Sequence, residues 1–178
     1  MARDVPIHSA EIMTRDLFNI RPATVDDVQT IVGFNAAMAL ETEQRRLDLD
    51  RLRQGTLALL AHHQYGFYIV AETSVEATRT AVGQLMITFE WSDWRNGVFW
   101  WVQSVYVTPE WRRRGVYRAM HGHIAARAQG DPQVCGIRLY VEHQNRRAQT
   151  VYRSVGLTPA VYTVYEQDFI LAHQRPNP

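Results

Sequence analysis

The sequence predicts an α/β protein (α+β in the finer division) with a mixed, twisted, mostly antiparallel sheet and helices on both faces. The segment 98–107 is apolar at both odd and even positions, which indicates a central strand covered on both sides. The Asn96-Gly97 pair before it is a hairpin signal, so the preceding strand should pair with it antiparallel. Strand and helix patterns alternate along the chain, which favours helices layered on a sheet.

The composition limits the class of protein and the kinds of partner it can bind. The chain has 178 residues, 46% hydrophobic and 21% charged, which is enough for one soluble globular domain with a sizeable core. A formal net charge of +1 predicts no strong attraction to nucleic acid or membranes. Cys135 is the only cysteine, which excludes a disulfide framework and argues against a cysteine-based metal cluster. With no signal-peptide pattern and no apolar run of membrane-spanning length, we expect a cytoplasmic protein without a bound metal.

Turn and cap residues define the first elements. Residues 18–22 form a β-rich segment that Pro22 ends, and this predicts the first strand. Thr24 and Asp27 match a capping box, in which Thr24 caps a helix and Asp27 reaches back to it. Apolar residues at helical spacing over 28–39 then predict that helix.

A second helix and two strands are predicted next. Leucine spacing predicts the helix over 49–62, and β-rich runs predict strands over 67–72 and 81–91. Gly83 in the second strand marks either a bulge or the close approach of another element. The hairpin signal places this strand antiparallel to the central one.

The second half of the chain alternates helix and strand. Helical spacing predicts a helix over 116–128, and a β-rich run predicts a strand over 135–142. Asn145 then caps a short helix that Gly156 stops. A last strand is predicted over 161–169.

A basic loop, WRRRG at 111–115, connects the central strand to the following helix. Backbone N–H groups at a helix N-terminus lack partners and carry partial positive charge, so such a turn accepts a phosphate or pyrophosphate. Gly115 lets the backbone approach a ligand closely or take a positive φ. The residues alone therefore predict an anion site and leave a solvated basic turn or a nucleic-acid contact as alternatives.

Two motifs carry a resemblance to a known family. The hexapeptide RRRGVY, from Arg112 to Tyr117, resembles the Arg/Gln-x-x-Gly-x-Gly/Ala loop of the GCN5-related N-acetyltransferase (GNAT) family, with Tyr117 where the family has a small residue. The segment 145–157, NRRAQTVYRSVGL, is similar to the family's Asn-x-x-Ala-x-x-x-Tyr-x-x-x-Gly-Φ signature at full spacing. The resemblance implies the acyl-CoA N-acyltransferase fold over 18–170, between an N-terminal arm over 1–17 and a C-terminal tail over 171–178.

The resemblance also implies the co-substrate and its contacts. In the family, acetyl-CoA places its pyrophosphate on the loop amides and its pantetheine arm beside the free edge of the central strand. The residues implied as CoA-binding here are Val105, Tyr106, Val107, Arg112, Arg113, Arg114, Gly115, Val116, Tyr117, Arg118 and Asn145.

Tyr152 and Glu90 are the candidate catalytic residues. Tyr152 lies in the second signature, and a phenol with a pKa near 10 can hydrogen-bond or protonate a departing thiolate whose thiol has a pKa near 8.5. An attacking amine must lose a proton, and Glu90, flanked by aromatic residues, is the candidate base, directly or through water. Glu41, Glu43 and Asp93 are candidates to join it around a cationic amine.

The leading hypothesis is an acetyl-CoA-dependent N-acetyltransferase that acts on a small-molecule or protein amine. An acyl-CoA-binding sensor or inactive relative is the alternative, because Tyr117 departs from the family pattern. A nucleic-acid module built on the arginines is a third hypothesis, and the near-zero net charge argues against it. The tryptophans near 91–100 are compatible with either a wall of the substrate site or a homodimer surface.

Overall fold

The computed structural model describes residues 18–75 and 78–170. The elements and their bounds are β1 Asn19–Pro22, α1 Val28–Glu43, α2 Leu49–Ala61, β2 Gly66–Val75, β3 Thr78–Ser92, β4 Gly97–Val107, α3 Val116–Gly130, β5 Val134–Arg138 and α4 Arg146–Ser154. These residues fall into two compact units, one ending at Glu142 and one beginning at His143, so α4 belongs to the second. The predicted arm 1–17 and tail 171–178 lie outside the described residues.

The strands of the first unit form one sheet in the order β1-β2-β3-β4-β5. The first three neighbouring pairs are antiparallel, while β4 and β5 run parallel. The predicted hairpin is present: Asn96 has a left-handed φ of 45°, and β3 pairs with β4 from Ser92 and Gly97 onwards. The prediction of a mixed, mostly antiparallel sheet is therefore confirmed.

Adjacent residues of β3 show that helices cover both faces of the sheet. A Cβ on Gly83 would lie 3.2 Å from Val116 and 3.4 Å from Met120, both in α3. The next residue, Gln84, points to the opposite face, where its Nε2 donates to Asn35 of α1 at 2.6 Å. Gly83 thus marks a close approach of α3 to the sheet. The two helix layers bury separate apolar clusters, the larger one beneath α3.

A buried ion cluster fixes the start of α1. Asp27 accepts a hydrogen bond from the backbone N–H of Thr24 at 2.7 Å, as the capping pattern predicts. The Arg21 guanidinium binds Asp27 at 2.7 Å and Glu72 of β2 at 2.6 Å. Both carboxylates are buried, so one guanidinium pairs with two charges that would be costly to leave unpaired. This cluster ties β1, β2 and the first turn of the helix together.

β4 carries a β-bulge in its second half. Met86 pairs with Gln103 and Gln84 pairs with Tyr106, so two residues of β4 face one residue of β3. Ser104, one of the two, has a φ of 44°, which is uncommon for a residue other than glycine. Such a bulge bends the strand and redirects its edge.

The edge of β4 that faces β5 is open from residue 102 onwards, which includes the bulge. The parallel pairing of β4 with β5 starts at Val98 and ends at Trp101 opposite Arg138. From residue 102 to 107 no described strand pairs with that edge of β4. The predicted strand 135–142 is shorter in the structure, Val134–Arg138, and its pairing with β4 ends with Arg138 opposite Trp101.

The predicted strand over 161–169 is wrong. These residues form no strand in the described chain, and most of their large side chains are exposed, Val161 and Tyr165 to 93% each. A β-rich sequence forms a strand only when a partner strand and a buried face are available. In contrast, α4 is present as predicted, with Asn145 as its N-cap and a φ of 90° at Gly156 after its end.

Candidate functional site

The loop between β4 and α3 has the backbone of an anion site. Arg113 and Gly115 have φ values of 64° and 88°, so the chain turns left-handed twice before α3 begins at Val116. No side chain caps this helix start among the described residues, and its first turn contains no acidic residue. The first-turn N–H groups therefore keep their hydrogen-bonding capacity for an anionic ligand.

The three loop arginines have different surroundings. Arg112 turns away from the helix start: its Nε donates to the Val107 carbonyl at 2.9 Å, and its Nη2 donates to Glu41 at 2.6 Å. The Arg114 guanidinium lies 5.0 Å from the centre of the Trp111 ring. Arg113 is exposed, as is Arg118 in the first turn of α3, and neither forms an ion pair within the described residues. Of the loop arginines, Arg112 alone is held by an ion pair among the described residues.

Val116 and Tyr117 place their side chains inward. Val116 is 2% exposed, and Tyr117 packs against the cluster beneath α3 with its ring 5.9 Å from that of His121. The tyrosine that replaces the small residue of the family pattern is thus accommodated by the core. At these two positions, therefore, only the backbone groups are available to a ligand.

Glu41 connects the end of α1 to β4 and to the basic loop. Its carboxylate accepts a hydrogen bond from the Tyr106 hydroxyl at 2.9 Å and one from Arg112 at 2.6 Å. The Arg112 guanidinium also lies 5.4 Å from the centre of the Tyr106 ring. Burial opposes ionisation of Glu41, but the hydrogen bonds from Arg112 and Tyr106 outweigh it and lower the pKa of Glu41 below its ordinary value of 4.5. We call Glu41, Tyr106 and Arg112 the Glu41 cluster.

Glu41→Gln is expected to weaken CoA binding by up to about fivefold, since a partly exposed pair contributes ~1 kcal/mol or less. The reason is that the loop loses the ion pair that holds Arg112 against β4. Because the pKa of Glu41 is lowered in the folded protein, its ion pair should hold the loop fully above about pH 5. This stabilisation should be lost as the pH falls through the folded-state pKa of Glu41. Calorimetric titration with CoA at pH 7 checks the effect.

Glu43→Gln is the matched control, because it removes the same charge from the same helix. Glu43 is exposed, and its one ion pair with another described residue is a long 4.0 Å contact to Arg45. A Glu41→Gln protein that binds CoA no more weakly than Glu43→Gln would show that the cluster does not hold the loop.

Val105, Tyr106 and Val107 lie on the open edge of β4. Val105 and Val107 pack against the cluster beneath α3, whereas the Tyr106 ring faces α1, 5.3 Å from Phe34. The side chains are therefore fixed on the two faces of the sheet. The backbone groups on the edge towards β5 have no described strand partner. An extended ligand can add there as a further strand.

Glu90 sits in a polar group on the α1 face of the sheet. It accepts a hydrogen bond from Arg138 of β5 at 2.7 Å and another from the Trp101 indole N–H. The expected desolvation by its flanking aromatic residues is wrong, because residues next to each other in a strand point to opposite faces. Phe89 and Trp91 lie on the other side, 39% and 61% exposed.

The four acidic candidates do not converge. Glu41 contacts Tyr106, whereas Glu90 contacts Trp101, five residues and roughly 15 Å earlier along β4. Asp93 lies in the hairpin at the far end of this strand and caps the backbone of Trp94 at 2.8 Å. The expected pocket of Glu41, Glu43, Asp93 and Glu90 is therefore not formed: two carboxylates lie near one end of the strand and two near the other.

Asn145 and Tyr152 lie in the second unit. The Asn145 side-chain oxygen accepts from the Ala148 backbone N–H at 3.0 Å, so its role as a cap is confirmed and its side-chain NH₂ remains for other contacts. Tyr152 is half-buried, and burial raises the pKa of its phenol above 10. A phenol of this kind is protonated at neutral pH.

A buried polar network escaped the sequence analysis. Gln84 donates to Asn35 at 2.6 Å, and Asn35 donates to the Tyr68 hydroxyl at 3.3 Å. All three residues are buried in the α1 face near Ser104. The available signal was an asparagine within the apolar positions of a predicted helix and a glutamine within an apolar strand, since buried polar groups need hydrogen-bond partners.

The described residues contain no cluster of three or more histidine, cysteine or acidic side chains placed to hold a metal ion. In the same part of the chain, every helix is too short or too polar to cross a membrane.

Comparison with known proteins places these features in a family context. The family model described as Acetyltransferase (GNAT) family matches residues 29–157. The crystal structure of a possible acetyltransferase from Clostridium difficile 630 is 42% identical, with a TM-score of 0.78 over 86% of this chain and 99% of that one. No curated protein matches the chain.

Two further structures have lower identity. A predicted acetyltransferase with acetyl-CoA from Clostridium acetobutylicum is 16% identical, with a TM-score of 0.66 over 85% of this chain and 96% of that one. A GCN5-related N-acetyltransferase from Ralstonia eutropha JMP134 is 20% identical, with a TM-score of 0.68 over 84% and 98%. At these identities the likeness shows a shared fold.

Proposed function

The chain belongs to the acetyltransferase (GNAT) family, and from this premise we propose that it transfers the acetyl group of acetyl-CoA to a primary amine. The observation that carries the proposal is the continuity between the open edge of β4 and the uncapped start of α3. The first suits the amide-rich pantetheine arm, and the second suits the pyrophosphate that follows it.

The residues proposed for CoA differ in what they contribute. The pantetheine arm lies along the backbone of 105–107, and the pyrophosphate accepts hydrogen bonds from the backbone over 113–118. Arg113 and Arg118 add charge, while Arg112 holds the loop through the Glu41 cluster. The Asn145 side-chain NH₂ is left to hydrogen-bond the cofactor arm, because its oxygen already caps α4.

The proposed reaction is a direct attack. The neutral amine forms a bond to the acetyl carbonyl carbon, the carbon–sulfur bond breaks, and the sulfur leaves with the electron pair. Tyr152 gives a hydrogen bond or a proton to that sulfur. The proton lost by the amine passes to Glu90 through water, since Glu90 lies several residues from the bulge along the sheet.

Glu90→Gln is expected to lower turnover at neutral pH, about 10²-fold if Glu90 is the base. Activity should recover partly at high pH, where more of the amine is already deprotonated. The measurement is free-thiol release from acetyl-CoA with a panel of amines between pH 6 and pH 10. Asp26→Asn is the control, because Asp26 is an exposed carboxylate on the first turn before α1.

Two outcomes would count against the proposal. Wild-type activity of Glu90→Gln across the pH range would remove Glu90 as the base but leave the transfer reaction standing. CoA binding without thiol release for any amine would instead support an acyl-CoA-binding protein that does not transfer.

A further inference from the structure

A cavity of about 420 Å³ lies between α1, α2 and the sheet. Its apolar walls include Met38 of α1, Leu52 of α2 and Met86 of β3. Its volume lies within the range of small-molecule sites. We call it the α1–α2 cavity.

The inner end of the α1–α2 cavity is polar and buried. Asn35, Thr56 and Tyr68 line it and are 3%, 2% and 4% exposed. The Tyr68 hydroxyl accepts from Asn35 at 3.3 Å, and burial, the strongest influence, raises the pKa of Tyr68, so the phenol is neutral. Behind them the Gln84 Oε1, completely buried, has no hydrogen-bond partner among the described residues. Gln84 does not itself line the cavity, so a ligand there would meet the side chains of Asn35, Thr56 and Tyr68, which can hydrogen-bond an amine.

The polar end of the cavity touches the bulge of β4. Ser104 lines the cavity and immediately precedes Val105, the first of the residues proposed for the pantetheine arm. A group that enters the cavity therefore reaches the strand edge along which the thioester is proposed to lie. This step rests on the proposed function.

The outer end of the cavity carries positive charge. Arg51 is the one charged side chain among the described lining residues, and no carboxylate lines the cavity. Arg51 is exposed and forms no ion pair within the described chain. On α2 it precedes Thr56 by five positions, a rise of about 7.5 Å along the helix axis. The wall between the two ends is formed in part by Leu52 and Gly55.

We infer that the α1–α2 cavity holds the acceptor, and that the acceptor is an amine with an apolar body and an anionic group at its far end. The amine reaches the polar end at Ser104, the body lies against Met38, Leu52 and Met86, and the anion meets Arg51. A polyamine fits poorly, because its second ammonium would lie beside this guanidinium.

Three amines with the same six-carbon chain test the charge preference: 6-aminohexanoate, hexylamine and 1,6-diaminohexane. Their extended chains have a length comparable to the separation of the two ends. The kcat/KM values should fall in that order. Arg51→Gln should reduce the advantage of 6-aminohexanoate over hexylamine by about fivefold, the effect of losing a partly exposed ion pair. Arg53→Gln, on the same helix but bonded to Gln29 at 3.2 Å, should leave the advantage unchanged.

Two glycine variants test the location. Gly55 lines the cavity and Gly33 does not; a Cβ at either meets nothing within 4 Å, and each lies within a helix, where leucine has the better propensity. Gly55→Leu should fill the cavity and raise KM for hexylamine about tenfold or more, with CoA affinity unchanged. Gly33→Leu should change neither, and thermal melts of both should match or exceed the wild type.

The outcomes separate the two proposals. If Gly55→Leu and wild type acetylate hexylamine equally, or if 1,6-diaminohexane is preferred to 6-aminohexanoate, the cavity inference is wrong while N-acetyl transfer stands. If the wild type binds no CoA and releases no thiol with any amine, the proposed function fails and this inference with it.

Discussion

Gly115→Asp is expected to weaken CoA binding on the order of 10²-fold or more. Gly115 has a φ of 88° directly before α3, a conformation that any L side chain adopts only with strain. The new carboxylate would also lie at the helix start proposed to hold the pyrophosphate. Two unit charges 4 Å apart repel by about 4 kcal/mol at an effective dielectric constant of 20, so this repulsion is the larger of the two effects. Calorimetry with CoA measures the loss.

Two further variants separate the charge from the strain. Gly115→Ala introduces the Cβ without the charge and should lose less affinity than Gly115→Asp. Gly122→Asp puts a carboxylate on the exposed surface of α3, where a Cβ meets nothing within 4 Å, and should retain wild-type affinity. Equal CoA affinity in Gly115→Asp and the wild type would show that the pyrophosphate binds elsewhere.

The elements with strong local signals were predictable from the sequence. Asn96 indicated the hairpin and Asp27 the start of α1, because each determines the backbone conformation or hydrogen bonding of residues next to it in the chain. Gly83 indicated the close approach of α3, because a larger side chain would not fit there. The strand over 161–169 failed for the opposite reason. Its residues favour β structure, but pairing depends on a partner that local sequence does not specify.

Side-chain partners were harder to predict than elements. The direction of Arg112 depends on Glu41, which lies 71 residues away along the chain. The acidic pocket failed because the family resemblance suggested only that α1 and its following loop fold over the same side of the sheet as Glu90. It did not give the register that separates Glu41 from Glu90 along β4. The bulge at Ser104, which shifts that register, leaves no pattern in the sequence beyond a serine within a strand.

Tyr152→Phe is expected to lower turnover by about 10²–10⁴-fold if the phenol is a general acid. Burial raises the pKa of Tyr152, so the phenol keeps its proton at every pH up to about 10 and the wild-type rate should show no loss from this group in that range. If the hydroxyl only hydrogen-bonds the departing thiolate, the loss should be smaller, about 10- to 100-fold, the value of a hydrogen bond to a charged group. Single-turnover measurement of thiol release distinguishes the two.

Measuring the CoA affinity of Tyr152→Phe shows whether a loss of turnover comes from the chemical step or from weaker binding. Phenylalanine keeps the ring and the packing of α4, so CoA should bind Tyr152→Phe as tightly as it binds the wild type. Tyr165→Phe removes a hydroxyl from a side chain that is 93% exposed and should change neither rate nor affinity. A slow Tyr152→Phe enzyme with normal CoA affinity would place the defect in the chemical step. A variant with full turnover would remove Tyr152 from the mechanism and leave water as the proton source for the sulfur.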